Sequence, residues 1–403
     1  MFKPMEGIRV LEWGAFHAGP GGGAILTDMG ADVIKIEQPG TGDPVRQSTR
    51  YKDIDFKFGD DRNIFYEGAN RGKKSVTIDM ASDQGQEIAY QLVKKSDVFL
   101  TNIRPKSVKK MHMDYNTLKK LKPDLIYASV TTYGSRGPEG NRGGFDYQGQ
   151  GKSGLMFNMG EPGMPPVLAQ FGIIDQATAV MASYQVMIAL WVRERYGIGQ
   201  EVEVSLLGTA FYFMYINNLT ALITGREVPR HEQATADAMR NYYQCKDGKW
   251  VVHTQVPDQG KWKVVCEMLE VSELVEDPRY NTQDKRLDRS KELVTIFKKA
   301  FLKRTRDEWV ELFAEKDLIM SPVFSTMEAI HDPQMTANEY MVDYEHPELG
   351  RMKIPGFPVS FSKTRINNNL LAPRLGEHTE SVLKEIAGYG DEEFARFRKE
   401  KII

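Results

Sequence analysis

The 403-residue sequence predicts an α/β protein with a mostly parallel β-sheet in one large domain and a second, smaller domain. Three observations carry this expectation. Short β-branched runs alternate with helical patterns through the first half, which is the signature of βαβ units. The second half loses that alternation. The length also exceeds what one ordinary core holds.

Strands are expected at residues 8–13, 32–37, 75–79, 97–101 and 125–130, where apolar and β-branched residues cluster. Helical patterns fall between them near 24–29, 83–95 and 118–121. Right-handed crossovers would collect ligands at the carboxyl ends of these strands. A longer helix follows, because Ala177, Val180, Met181, Tyr184, Ile188, Trp191 and Val192 recur at helical spacing. Gly197 and Gly199 supply its stop, and Arg193 and Arg195 suit its last turn. The stretch 177–192 carries Gln185, ends at Arg193, and reads as too short and too polar to span a bilayer. Asp175 then stands at the helix N-terminus. Aspartate is a preferred cap there, and the free amides of that end would equally favour an ionised nucleophile. Spacing leaves both readings open.

Past an aromatic stretch at 211–215, residues 242–252 read as a hairpin with Asp247-Gly248 in the turn. Helices are expected near 261–270, 291–303 and 305–315, the last opened by a Thr305–Glu308 capping box. The division expected is 1–224 for the first part of the large domain, 225–325 for a smaller α+β domain, and 326–403 for a linker and return.

A formal charge of −2 gives no general pull toward nucleic acid or an anionic membrane, so any polyanion must be held by a local basic site. Two cysteines, Cys245 and Cys266, argue for a reducing, cytoplasmic compartment without a disulfide framework. The first residues lack the apolar run of a signal peptide. The seven histidines have no ligand spacing, so no metal site is expected. Gly19-Pro20-Gly21-Gly22-Gly23-Ala24 loosely fits a dinucleotide fingerprint, but residues 14–18 separate it from the strand. The alternative is a set of glycines that admit another segment to close approach, with no nucleotide involved.

Several segments together resemble one family. They are residues 4–12 (PMEGIRVLE), Ala18-Gly19-Pro20, residues 29–37 (MGADVIKIE), Gly42-Asp43-Pro44-Val45-Arg46 and residues 70–75 (NRGKKS). To these are added Asn102-Ile103-Arg104-Pro105, residues 199–207 (GQEVEVSLL) and residues 373–379 (PRLGEHT). In this order, across nearly the whole chain, they resemble the class III CoA-transferases of the CaiB/BaiF type. The resemblance implies a Rossmann-like large domain formed by N- and C-terminal parts, a smaller α+β domain, and an interlocked homodimer. It also implies transfer of coenzyme A from an acyl-CoA to a carboxylic acid, with no prosthetic group.

Asp175 matches the family's nucleophilic aspartate, which would form a mixed anhydride and then an aspartyl-CoA thioester. For CoA, the resemblance points to His17, Ala18, Ile78, Asn102, Ile103, Arg104, Lys110, Arg142, Phe145 and Asp146. Among these, Arg104, Lys110 and Arg142 would pair with phosphates. Gln38 and Gly143 stand where the formyl-CoA transferase type has basic residues, and that type's glycine loop is missing before Tyr242, which turns expectation away from oxalate. Phe16, Tyr133, Tyr147, Phe211, Tyr212 and Tyr215 point instead to an apolar, aryl or branched acid, as does similarity to phenyllactate CoA-transferases. An aromatic stripe at helical spacing is equally consistent with core. Two alternatives stand beside transfer. An α-methylacyl-CoA racemase would need a histidine where Phe145 stands. A non-catalytic subunit of a heteromeric transferase would not need Asp175.

Overall fold

In the computed structural model, which describes residues 2–47, 50–58 and 62–403, the chain forms two units. The larger takes the chain up to Phe157, Leu168–Glu227 and Thr336–Ile403. The smaller takes Asn158–Val167 and Val228–Met335. The smaller unit thus claims an upstream segment that the 225–325 expectation leaves out, and it continues past 325. Side-chain hydrogen bonds hold that segment. Tyr242 Oη donates to Glu161 Oε1 at 3.0 Å, and Arg230 Nη1 donates to the Glu161 carbonyl at 3.2 Å.

The larger unit is built on a six-stranded sheet of β1 (Arg9–Trp13), β2 (Asp32–Glu37), β3 (Lys74–Thr77), β4 (Val98–Thr101), β5 (Ile126–Thr131) and β6 (Glu201–Ser205). Its order is β6-β5-β4-β1-β2-β3 and every pairing is parallel. Side chains alternate between two buried faces. Val10, Val33 and Val98 enter one core cluster, while Leu11, Ile34 and Phe99 enter the other. The C-terminal segment covers the β3 edge. There the His378 amide donates to the Ser75 carbonyl at 2.9 Å and the Thr77 amide to Thr379 Oγ1 at 3.0 Å.

Four helices of this unit position the site: α1 (Ala18–Asp28), α2 (Pro105–Lys110), α3 (Asp146–Lys152) and α4 (Ile173–Tyr196). α1 begins earlier than the sequence pattern indicates and runs straight through the glycines. The reason is close approach. A Cβ at Gly21 or Gly22 would meet Ala179 Cβ or Ala182 Cβ of α4 at 2.9 and 3.0 Å, and one at Gly23 would collide with Glu12. Packing against α4 therefore overrides the weak helix propensity of glycine. α4 itself is longer than the 177–192 expectation. At 24 residues it is long and apolar enough, by length and composition, to cross a membrane, which corrects the reading that it is too short and too polar. Its Ala179, Ala182, Val186 and Ala189 are nevertheless buried, the last three in the core beside β4 and β5.

The smaller unit has a three-stranded antiparallel sheet of Arg240–Gln244, Trp250–Thr254 and Met320–Val323. The hairpin turns at Asp247-Gly248, with Gly248 at φ +76°. Its helices include Gln259–Met268, Ser290–Phe301 and Arg306–Glu315, and Thr305 and Glu308 form the expected capping box. Trp262, Phe297, Phe301, Trp309, Phe313 and Tyr243 fill its core.

Candidate active site

In this strand order, the chain leaves β1 and β4 toward opposite edges of the sheet, so a crevice opens between their carboxyl ends. A cavity of about 380 Å³ lies there. Its lining comes from the segment after β1 (Ala15, Phe16, His17, Ala18), the segment after β4 (Asn102, Ile103, Arg104), the 140–145 loop with Arg142 and Phe145, and Asp175. Residues remote in sequence thus meet at one place.

Buried charge fixes the segment after β1. Lys35 Nζ donates to Glu12 Oε1 at 3.1 Å and to the Gly14 carbonyl at 2.9 Å, and pairs with Asp43 Oδ2 at 3.0 Å. Asp43 Oδ1 accepts from the Phe16 amide at 3.1 Å. Asn102 holds both polar groups of Ala15, accepting from its amide at 2.9 Å and donating to its carbonyl at 2.7 Å. Lys73 Nζ reaches Glu12 at 2.7 Å and the Pro20 carbonyl at 2.8 Å. These contacts hold Phe16 in a left-handed conformation, φ +63°, with its ring edge-on to Phe145 at 5.1 Å. Glu12, Lys35 and the Lys73 ammonium are shut off from solvent. Burial pulls the Lys73 pKa down to about 7, with Glu12 opposing and Lys35 reinforcing. Against the same pull, Asp43 and Glu12 hold the Lys35 ammonium above its ordinary value.

Asp175 is not the cap of α4. Gly172, at φ +67°, takes that place, and Asp175 is the third residue of the helix. The carboxylate on the first amides belongs to Asp146, whose Oδ2 accepts from Ile174 N at 2.7 Å and from Asp175 N at 3.0 Å. Those amides are therefore spent, and the expectation that they would favour an ionised Asp175 does not hold. Burial first, then the neighbouring Asp146 charge, push the Asp175 pKa up to about 7.

The structure brings together His17, Ala18, Asn102, Ile103, Arg104, Arg142 and Phe145 around Asp175. Three other positions expected to touch CoA do not line this cavity. Ile78 is fully buried behind β3, with its amide on the Glu37 carbonyl at 2.9 Å. Lys110 is exposed on the last turn of α2. Asp146 is 4% exposed and engaged with α4. Among the described residues, His17 Nε2 is shielded from solvent and makes no hydrogen bond. Burial lowers the His17 pKa and favours the neutral ring, against the Gln176 side chain, whose hydrogen bond raises it. Of the six aromatics assigned to an acid pocket, only Phe16 lines the cavity. Phe211, Tyr212 and Tyr215 stand exposed on Leu206–Phe213 and Tyr215–Thr224. Sequence reasoning missed Lys35, Asp43 and Lys73. Their one signal was a run of charges inside or beside strands that are otherwise apolar.

A parallel sheet in this order, with its cavity at the reversal and a carboxyl group facing it, defines a switch-point ligand site of the open parallel α/β class. Comparison with known proteins makes the assignment specific. Residues 5–379 match CoA-transferase family III. The chain is 32% identical over 402 residues to (R)-2-hydroxy-4-methylpentanoate CoA-transferase of Clostridioides difficile, covering 99% of each chain. It is 31% identical to succinyl-CoA:glutarate CoA-transferase of Mus musculus, covering 96% of this chain and 88% of that one. A CAIB/BAIF family protein from Brucella suis superposes with a TM-score of 0.85 at 27% identity, over 96% of this chain and 100% of the other. The chain belongs to CoA-transferase family III. It is an enzyme that transfers coenzyme A, with CoA thioesters as substrates.

Proposed function

We propose that Asp175 carries the transfer covalently. Its carboxylate attacks the acyl-CoA carbonyl, the C–O bond forms, the C–S bond breaks, and CoA leaves as thiolate. The thiolate then attacks the aspartyl carbonyl of the mixed anhydride, releasing the donor acid and leaving an aspartyl-CoA thioester. The acceptor carboxylate repeats the sequence in reverse and regenerates Asp175. No proton is gained or lost, and no metal, redox group or prosthetic group is required. The observation that carries this reading is the Asp175 carboxyl in the lining of the switch-point cavity; burial and the neighbouring Asp146 push its pKa up to about 7, toward a more basic carboxylate. CoA would lie across His17, Ala18, Asn102 and Ile103, with Arg104 and Arg142 on its phosphates.

The Phe16–Phe145 pair supports an apolar, branched or aryl acid, and the Clostridioides relative's branched hydroxy acid agrees. Phe145 also stands where the resemblance places the histidine base of a racemase, and its ring cannot take that role. Asp175→Ala should abolish transfer while leaving CoA binding largely intact, and hydroxylamine should trap Asp175 in the wild type during turnover. Substantial transfer by the alanine variant would refute the covalent route. A panel of acceptors should rank branched and aryl acids above glutarate.

A homodimer is part of the same proposal. Val180, Tyr184, Ile188 and Trp191 form an exposed apolar row on α4, and Leu222 and Ile223 are 81% and 74% exposed. Exposed apolar surface of this kind fits a second copy of the chain, interlocked as in the family. Sedimentation at nanomolar concentration should find only dimer, and a folded, active monomer would overturn it. Two buried free cysteines accord with the cytoplasm.

A further inference from the structure

We propose that Asp146 is a positioning residue for transfer. It occupies the free amides at the start of α4 and thereby leaves the Asp175 carboxyl without those donors and turned to the cavity. The inference rests on the reading of Asp175 as the nucleophile.

The first amides of a helix have no partner within it, and a carboxylate that gains them becomes less basic. At the start of α4 the natural claimant would be Asp175, the only acidic residue in the first turn. Asp146 takes the place instead, from 28 and 29 residues upstream. Its Oδ2 receives two amides, and its Oδ1 accepts a hydrogen bond from Gln150 Nε2. Gln150 is fully buried and also grips Ala169, donating to its carbonyl at 2.8 Å and accepting from its amide at 3.0 Å. One face of α3 therefore clamps the chain from Ala169 to Asp175. Within that span, Phe171 and Gly172 turn through left-handed backbone at φ +57° and +67°.

Two consequences follow for chemistry. Asp175 is denied the donors that would draw its side chain onto its own helix, and it faces a like charge at close range. Arg104 and Arg142, which line the same cavity, and the neutral-leaning His17 are the other titratable groups around it. Attack on the thioester needs an electron pair and moves no proton, so a more basic carboxylate forms its C–O bond more readily, provided it is ionised. Transfer should therefore fall as pH drops through about 7, where Asp175 becomes protonated.

The test compares Asp146→Asn and Asp146→Glu by the pH profile of kcat and by carboxyl ¹³C NMR titration of Asp175, the resonance being assigned by its loss in Asp175→Asn. Asp146→Asn keeps an acceptor for the amides but removes the charge. It should move the acidic limb and the Asp175 titration down by about one pH unit or more, and lower kcat on the plateau about tenfold. KM for acyl-CoA should change little, because Asp146 does not line the cavity. Asp146→Glu keeps the charge and should keep both titrations near the wild-type position. Asp146→Ser offers a smaller uncharged acceptor and should behave like the asparagine variant, which covers the case in which that variant does not fold. An uncharged variant with wild-type limb and wild-type NMR titration overturns the proposal. Failure to trap Asp175 in the wild type would instead count against the nucleophile itself, while the NMR titration would still report on Asp146.

Discussion

The two units bury very different material. Behind the switch-point cavity the larger unit encloses ions: Glu12, Lys35, Asp43 and Lys73, continued by Glu37, which takes Arg46 at 2.7 Å and Ser75 Oγ at 2.6 Å. The smaller unit encloses rings, with Tyr243 stacked on Phe301 at 4.5 Å and Trp262 on Phe297 at 6.1 Å. Rings gain most of their free energy from buried area and only a smaller part from their mutual geometry. Ions out of water demand near-complete partnership, and a buried charge left alone is expensive. The comparison teaches where the molecule needs geometry and where it needs only cohesion. The ionic cluster is weak as a stabiliser, yet it fixes the backbone of residues 14–20 at the wall of the cavity.

The sharpest way to break this comparison is to remove one charge and one apolar side chain. Lys35→Met leaves Asp43 without its ion-pair partner and Glu12 with Lys73 alone, and should cost about 3–5 kcal/mol in urea unfolding. It should also weaken CoA binding severalfold in calorimetry, through release of the Gly14 and Phe16 backbone. Leu293→Ala, in the ring-lined core, should cost about 2–4 kcal/mol and leave CoA affinity of the folded enzyme unchanged. Equal loss of affinity in both would deny the ionic cluster its positioning role.

A smaller effect sharpens the same contrast at Asp175. Its folded pKa of about 7 lies above the ordinary carboxylate value, so the folded state prefers the neutral acid. The stabilising preference is present at low pH and lost as pH rises through 7, so the ionised group destabilises the fold at alkaline pH. Asp175→Asn should therefore raise stability at pH 8 by about 2 kcal/mol, allowing for the group's partial exposure, and the gain should vanish toward pH 4. Thermal unfolding across that range reads it. No gain at pH 8 would mean that Asp175 is not held in a basic state.

Local signals were legible. Residues 32–37 are a strand as read, because Val33, Ile34 and Ile36 bring both faces of a buried sheet into one short run. The Thr305–Glu308 box opens its helix because a cap needs only neighbours three apart. The glycines of α1 were not legible as helix, since their reason lies on α4, more than 150 positions away in the sequence. Nor was the cap of α4: aspartate's preference pointed to Asp175, whereas the amides went to a carboxylate brought in from α3. The CoA-binding set came from resemblance, and three of its members, Ile78, Lys110 and Asp146, do not line the cavity.

The sequence by itself determined the alternation of strands and helices, the family, and, through the resemblance, eight of the residues that line the switch-point cavity. Each of these rests on patterns a few residues long, or on short motifs in a fixed order. Only the tertiary structure decided which carboxylate takes the amides of α4, which one faces the cavity, and that Glu12 of β1 and Lys35 and Glu37 of β2 lie sealed inside. Hydrogen bonds such as those joining Ala15 to Asn102 across 87 positions depend on where the backbone lies in space, and no periodicity along the chain encodes that.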